Sequence, residues 1–140
     1  MSEPRIRSAT ARDLDALLAL WGEANPPGHT DTPRALHALL ATDSHALLVA
    51  EADGLVLGGL IAAWDGWRGN LYRLAVREGH RRRGIATALL REGERRLRAR
   101  GAARVAAIVD ERDAEAVAFW QAAGYVREPG QVRHVRRLHD

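Results

Sequence analysis

"HRRRGIAT", residues 80–87, sets three consecutive arginines against a glycine and then opens a helical pattern, and its reading decides the fold. The segment before it, "LYRLAV" at 71–76, reads as a strand. The segment after it, "IATALLREGERRLRAR" at 85–100, reads as a long amphipathic helix closed by Gly101, and the short strand "RVAAIV" follows at 104–109. Strand, loop, helix, strand in that order favours a parallel crossover. In such a unit the loop's backbone N–H groups converge where the helix N-terminus has unpaired donors of its own, so an anion is expected there. Arg81, Arg82 and Arg83 would neutralise a pyrophosphate or a ribose phosphate, and Gly84 lets the main chain approach without a Cβ in the way. Ala86 is the next smallest choice, and Thr87 adds a hydroxyl in the first turn. Neither G-x-G-x-x-G nor G-x-x-x-x-G-K-S/T occurs, so a phosphate held here is held by another scheme.

Upstream of the loop, "RIRSA" at 5–9 predicts a short first strand. Thr10 with Asp13 makes an acidic variant of the capping box before "LDALLALW", whose Leu14, Leu17, Leu18 and Trp21 fall on one face and predict core. "NPPG" at 25–28 stops that helix, and a second is expected from Thr32, with Pro33 in the favoured first position. The period then changes. "HALLVAE" and "LVLGGLIAAW" are joined by a turn at Asp53 and Gly54, and "WDGWRGN" at 64–70 turns the chain into "LYRLAV", completing an antiparallel meander. Downstream of the crossover, a helix over about 114–123 ends at Gly124, "YVRE" follows, and "PGQVRHVRRL" at 129–138 is expected to return as a last strand. There is no internal repeat and no linker, so one mixed α/β domain over residues 1–140 is the simplest organisation.

Composition narrows the function. The chain has 140 residues, 46% apolar and 28% charged, enough for one domain with a real core. It has no cysteine, which excludes disulfides, a thiolate nucleophile and thiolate-ligated metal. Six histidines lie scattered without H-x-x-x-H or H-E-x-x-H spacing, so no metal site is expected. The first residues, "MSEPRIRSAT", lack the apolar run of a signal peptide, and no window reaches membrane-spanning length, which makes a cytoplasmic protein with no membrane partner the default expectation. The net charge of +3 is unevenly spread: residues 77–100 hold nine arginines against three glutamates, a local balance of +6 that attracts anions. All 21 basic residues are arginine, so part of this is compositional habit rather than function. Nucleic acid ranks low as a partner because no stacking aromatics interleave with those arginines.

"LYRLAV" followed by "RRRGIA" at 81–86 resembles the acetyl-coenzyme A signature of the GCN5-related N-acetyltransferase (GNAT) family, Q/R-x-x-G-x-G/A. "DAEAVAFWQAAGY" at 113–125 resembles that family's N-x-x-A-x-x-x-Y-x-x-x-G-F/Y segment, with Asp113 in the Asn position and Ala116, Gly124 and Tyr125 in register. The likeness covers most of the chain. It implies a central mixed, mostly antiparallel sheet of about six to seven strands with splayed central strands, flanked by about four helices. It also implies acetyl transfer from acetyl-coenzyme A to a primary amine of a small molecule or a protein. Main-chain groups of Leu74, Ala75 and Val76 would meet the acetyl and pantetheine portions, the loop and first helical turn (Arg81, Arg82, Arg83, Gly84, Ile85, Ala86, Thr87) would hold the pyrophosphate, and Asp113, Phe119 and Trp120 would border the cofactor. A homodimer is consistent with the same family.

Attack of an amine on a thioester needs a neutral amine, alignment and a donor for the developing oxyanion, with no covalent enzyme intermediate. The main-chain N–H of Val76 is the candidate oxyanion donor, on a strand expected to be opened by a bulge. The resemblance implies a tyrosine acid where this chain has Trp120, whose indole N–H is not a practical acid near neutral pH, and a glutamate base where it has Asn70. Tyr72 is therefore the candidate to position a water or the substrate, and Glu23 the candidate to meet the acceptor amine. Trp64 and Trp67 flank the turn before the catalytic strand and offer an aromatic wall. The acceptor is expected to be read by "WGEANPPGHT" and "WDGWRGN". The competing expectation is a regulatory module that binds coenzyme A without turnover.

Overall fold

The computed structural model describes residues 3–24 and 31–138. The expected helix stop at 25–28, and most of the first expected acceptor loop, lie outside the described residues. Its elements, in chain order, are β1 (Arg5–Ser8), a 3₁₀ turn (Ala11–Asp13), α1 (Leu14–Ala24), α2 (Pro33–Thr42), β2 (Leu47–Ala52), β3 (Leu55–Trp64), β4 (Gly69–Val76), α3 (Ile85–Ala99), β5 (Val105–Ala107) and α4 (Ala114–Ala122). The chain divides into two compact units, Met1–Ile108 and Val109–Asp140.

In the first unit the strands form one mixed sheet in the order β1-β2-β3-β4-β5. The first three pairings are antiparallel, and β4 with β5 is parallel, the crossover that the order strand, loop, helix, strand predicts. Asp53 (φ 53°) and Gly54 (φ 78°) both take the left-handed region, as a two-residue hairpin turn between β2 and β3 demands.

Two layers of helix cover the sheet. On one face Leu14, Leu17, Leu20 and Trp21 of α1 and Leu36 of α2 pack with Leu47, Val49, Val56 and Ala75 of the strands. Leu18, expected in that core, is only partly buried beside it, and Leu20, not foreseen, is buried. On the other face α3 buries Ile85, Leu89, Leu90 and Leu97. Glycines set the closeness of both layers: a Cβ on Gly59 would lie 2.4 Å from Leu17 Cδ2, and one on Gly93 would lie 2.9 Å from Leu60 Cδ2.

The entry to α1 is built as the capping pattern predicts. Asp13 accepts the Thr10 backbone N–H at 2.8 Å, and it also receives both terminal nitrogens of Arg7, at 2.8 and 3.0 Å. Arg7 reaches Glu51 on β2 as well, so one guanidinium ties the first strand, the helix start and the second strand together. Thr32 caps α2 by accepting the Ala35 N–H at 3.1 Å, and Pro33 occupies the first turn.

The second unit holds α4, capped by Asp113, which accepts the Ala116 N–H at 3.0 Å. Gly124 (φ 98°) ends it, and the Tyr125 N–H returns to Trp120 O at 3.0 Å. The expected strands at "YVRE" and 129–138 are not formed. Five strands, rather than six to seven, are present among the described residues. The reason is that a strand exists only through a ladder partner, and residues 126–138 pair with none of the described residues, however apolar or β-branched Val126, Val132 and Val135 are.

Candidate active site

Beyond its register with β3, β4 carries an irregularity that its sequence does not announce. Gly59 pairs with Ala75 and Ile61 with Tyr72, so Arg73 and Leu74 together oppose Leu60: one extra residue, a β-bulge. Arg73 sits there at φ 58°, in the left-handed region that glycine normally takes in such a bulge. On the other edge of β4, pairing with β5 runs from Gly69–Val105 to Leu71–Ala107 and stops. From Tyr72 to Val76 that edge has no strand beside it among the described residues. The Arg77 N–H bonds back to Leu57 O at 2.7 Å, and N–H groups alternate between edges along a strand. The Val76 N–H therefore points into the gap. Side chains of Ala75 and Val76 are buried, so only main chain is offered there.

The gap leads to the loop at 80–84 and the start of α3. Most helices begin on an extended Ser, Thr, Asp or Asn whose side chain covers a free N–H. α3 begins instead on Gly84, in the left-handed region at φ 79° and without any side-chain cap. The first intrahelical bond to form is from the Ala88 N–H to Gly84 O, at 3.0 Å. The N–H groups of Ile85, Ala86 and Thr87 are consequently left for an outside acceptor at the positive end of a 15-residue helix. A Cβ built on Gly84 meets nothing within 4 Å, so the approach is open and glycine is required by its φ. Arg82 also takes a left-handed φ, 64°, which gives the loop its sharp turn.

The three arginines do different things. Arg81 Nε donates to Val76 O at 3.2 Å, bracing the loop against the open edge of β4. Arg83 Nη1 lies 3.1 Å from His80 Nδ1. Arg82 is exposed. This loop and edge together can hold a polyanion at the helix start and an extended, amide-bearing arm along β4.

Residues 14–125 match the family model described as Acetyltransferase (GNAT) family. This chain belongs to the GNAT acetyltransferase family. It is 31% identical over 121 residues to acetyltransferase ECA0875 of Pectobacterium atrosepticum, covering 86% of each chain. Among solved structures, Ard1 from Thermoplasma volcanium superposes with a TM-score of 0.80 at 20% identity, over 89% of this chain and 84% of that one. AAC(6')-Iy in complex with a coenzyme A bisubstrate analogue superposes with a TM-score of 0.79 at 23% identity, over 97% and 99%. At these identities the solved structures speak for the fold.

In this GNAT chain the remaining candidates fall in three places. Tyr72 faces the α1 side of the sheet opposite Ile61 and is 41% exposed. Glu23 is exposed in the last turn of α1. Asp113, Phe119 and Trp120 belong to the second unit: the Asp113 carboxylate is engaged as the α4 cap, and Trp120 stands edge-on to Phe119 (5.6 Å between centroids) and to Tyr125 (4.8 Å). Trp67 is 73% exposed, with the Arg68 guanidinium 4.0 Å from its ring centroid. Asp65 accepts the N–H groups of Trp67 and Arg68, which holds its carboxyl below the usual range.

Two features escaped the sequence reading. Arg73 was an unremarked strand residue, yet its Nε binds Asp31 Oδ1 at 3.0 Å, linking the bulge to the segment before α2. Arg81 was read as a phosphate ligand and also serves as the brace on Val76. An arginine in the middle of an apolar strand was the available signal for the first, and nothing local signals the second.

Proposed function

We propose that this chain transfers an acetyl group from acetyl-coenzyme A to a primary amine of a small molecule or a protein, by direct attack and as one domain over residues 1–140. The observation that carries this is the pairing of an uncapped α3 start on left-handed Gly84 with a β4 edge left open beyond Leu71. Together they suit a cofactor with a diphosphate at one end and an amide-rich arm at the other. The solved relative bound to a coenzyme A bisubstrate analogue supports the same donor.

The residues present fit that group. Main-chain amides of Ile85, Ala86 and Thr87, with Gly84 and the guanidinium groups of Arg81, Arg82 and Arg83, would hold the pyrophosphate. Main-chain groups of Leu74, Ala75 and Val76 would hold the arm; in the second unit Asp113 fixes the start of the helix that carries Phe119 and Trp120, the cofactor-bordering residues that the family resemblance implies. Acetyl-coenzyme A supplies an activated acyl thioester. The Val76 N–H, aimed into the gap, stabilises negative charge developing on the acyl oxygen. Tyr72 orients the acceptor or a water for proton removal, and Glu23 attracts the acceptor's amine. Protonation of the departing thiolate falls to water, since Trp120 has no acidic group to give.

Trp120 favours one second reading, a coenzyme A-binding module without turnover. A panel of primary amines incubated with acetyl-coenzyme A and purified protein, followed by thiol release, separates the two. Enzyme-dependent release with at least one amine is expected, whereas tight coenzyme A binding with no release across the panel would establish the module. Nucleic-acid binding is weakened as a reading by the arginines of α3 and its C-cap, several of which are already paired: Arg91 with Glu94, Arg95 and Arg96 with Glu92, and Arg100 with Asp43. No helix among the described residues is long and apolar enough to cross a membrane. A cytoplasmic location and a homodimer remain part of the proposal, the second checked by light scattering.

A further inference from the structure

Arg73 occupies a backbone position that disfavours any side chain. In a bulge of this kind the left-handed residue is ordinarily glycine, because any Cβ is strained there. This chain instead keeps arginine at φ 58°, and it holds the guanidinium in place through Nε on Asp31 Oδ1 at 3.0 Å. Strained non-glycine residues persist where the surrounding structure over-determines them, and they cluster at ligand clamps and active sites. The pair engages Nε, the two terminal nitrogens bond no other described residue and offer a donor fork, and the side chain is 29% exposed rather than sealed in. Asp31 fixes the direction in which that fork points.

Its place is equally informative. Arg73 is three residues before Val76, roughly 10 Å of strand, and next to Tyr72, which stands exposed on the α1 side. The donor arm is expected from the β5 side of β4, which leaves the side bearing Tyr72 and the Arg73–Asp31 pair for the acceptor. Arg73 is paired there with Asp31, so the local charge is balanced, and what the position offers is the direction of the fork rather than a positive field.

We propose that Arg73 is the specificity-determining residue of the acceptor site and takes a carboxylate, so that the acceptor is an amine carrying a carboxylate in the same small molecule, an amino acid in the broad sense. Asp31 is its positioning residue. This rests on the acetyl-transfer reading above and names its substrate class. The guanidinium fork accepts the carboxylate in a bidentate pair, and the amine of the same molecule is presented toward the Val76 end of the strand.

The test pairs α- and ω-amino acids with their primary carboxamides as acceptors, comparing wild type with Arg73→Gly and Asp31→Asn. Arg73→Gly relieves the backbone, so its melting temperature should hold or rise, and its coenzyme A affinity should stay within about twofold. For wild type, kcat/KM is expected to favour at least one amino acid over its carboxamide by about tenfold or more. In Arg73→Gly that ratio should fall to near one, and in Asp31→Asn the loss should appear in KM more than in kcat. A wild-type ratio near one, a preference for carboxamides or polyamines, or a ratio unchanged in Arg73→Gly would overturn the proposal. If wild type turns over no amine, calorimetry on the coenzyme A-saturated protein reads the same pairs. Carboxylate-dependent binding lost in Arg73→Gly would then uphold the site while removing acetyl transfer, and absence of such binding would reject it.

Discussion

Gly84 concentrates two demands in one residue. Its φ of 79° is left-handed, and its lack of a side chain leaves the first turn of α3 uncapped. Any substitution pays roughly 1–2 kcal/mol in backbone strain before a ligand is considered, and a branched one also stands where the ligand's phosphate approaches. Gly84→Val is therefore expected to weaken coenzyme A binding by well over tenfold, and Arg82→Ala by only a few-fold, because one exposed guanidinium among several is replaceable. Titration calorimetry on both variants decides it; equal small losses would mean the helix start is not the anchor. At Trp120 the expectation runs the other way. Trp120→Tyr supplies a phenol where the indole stands between Phe119 and Tyr125, and turnover should rise and acquire a new alkaline limb, falling as the phenol ionises toward about pH 10. An unaltered pH profile would show that no acid is needed at that position.

Elements in this protein are held at distances their glycines permit. Gly59 in β3 lies under α1, where a Cβ would come within 2.4 Å of Leu17 Cδ2, so Gly59→Ala is expected to destabilise by about 1–3 kcal/mol, read as a lower denaturant midpoint. The strand edges show how far sequence carries at this scale. The hairpin at Asp53 and Gly54, the caps at Thr10 and Thr32 and the helix after Gly84 were all legible, because each is written in residues that are neighbours along the chain. The bulge at Arg73 and Leu74 was expected in kind but not in place, since it depends on how β3 and β4 count against each other. The end of the β4 and β5 pairing at Leu71 and Ala107 was expected only through family likeness, for the same reason.

For the molecule as a whole, acid is the condition that tests its ion pairs. The Arg7 guanidinium bonded to Asp13 holds that carboxyl below the usual carboxylate range, and Arg7 likewise depresses Glu51. Arg95 and Arg96 bring Glu92 down to about 2. A carboxylate with a folded pKa below its unfolded value adds stability above the unfolded pKa and loses it as pH falls through the folded one. Melting temperature should accordingly be flat near neutrality and drop between about pH 5 and pH 2. Asp13→Asn should cost roughly 3 kcal/mol at neutral pH and flatten part of that slope. A drop that begins above pH 6 would show that these carboxylate pairs do not set the slope. Coenzyme A at a hundred times its dissociation constant should add about 2.7 kcal/mol, seen as a rise of a few degrees in melting temperature. No rise would remove the donor assignment.

What the sequence alone determined was whatever could be decided by residues close together along it: the crossover around "HRRRGIAT", the meander, the caps and turns, and the absence of thiol chemistry. The tertiary structure decided the rest, because its causes are pairings across long stretches of chain. Residues 129–138 look like a strand and are none without a ladder partner; Arg73 looks like a passenger and is pinned to Asp31, 42 positions away. Hydrogen bonds across strands and ion pairs across elements are satisfied only in space, so no local pattern can record which of several eligible partners each group will meet.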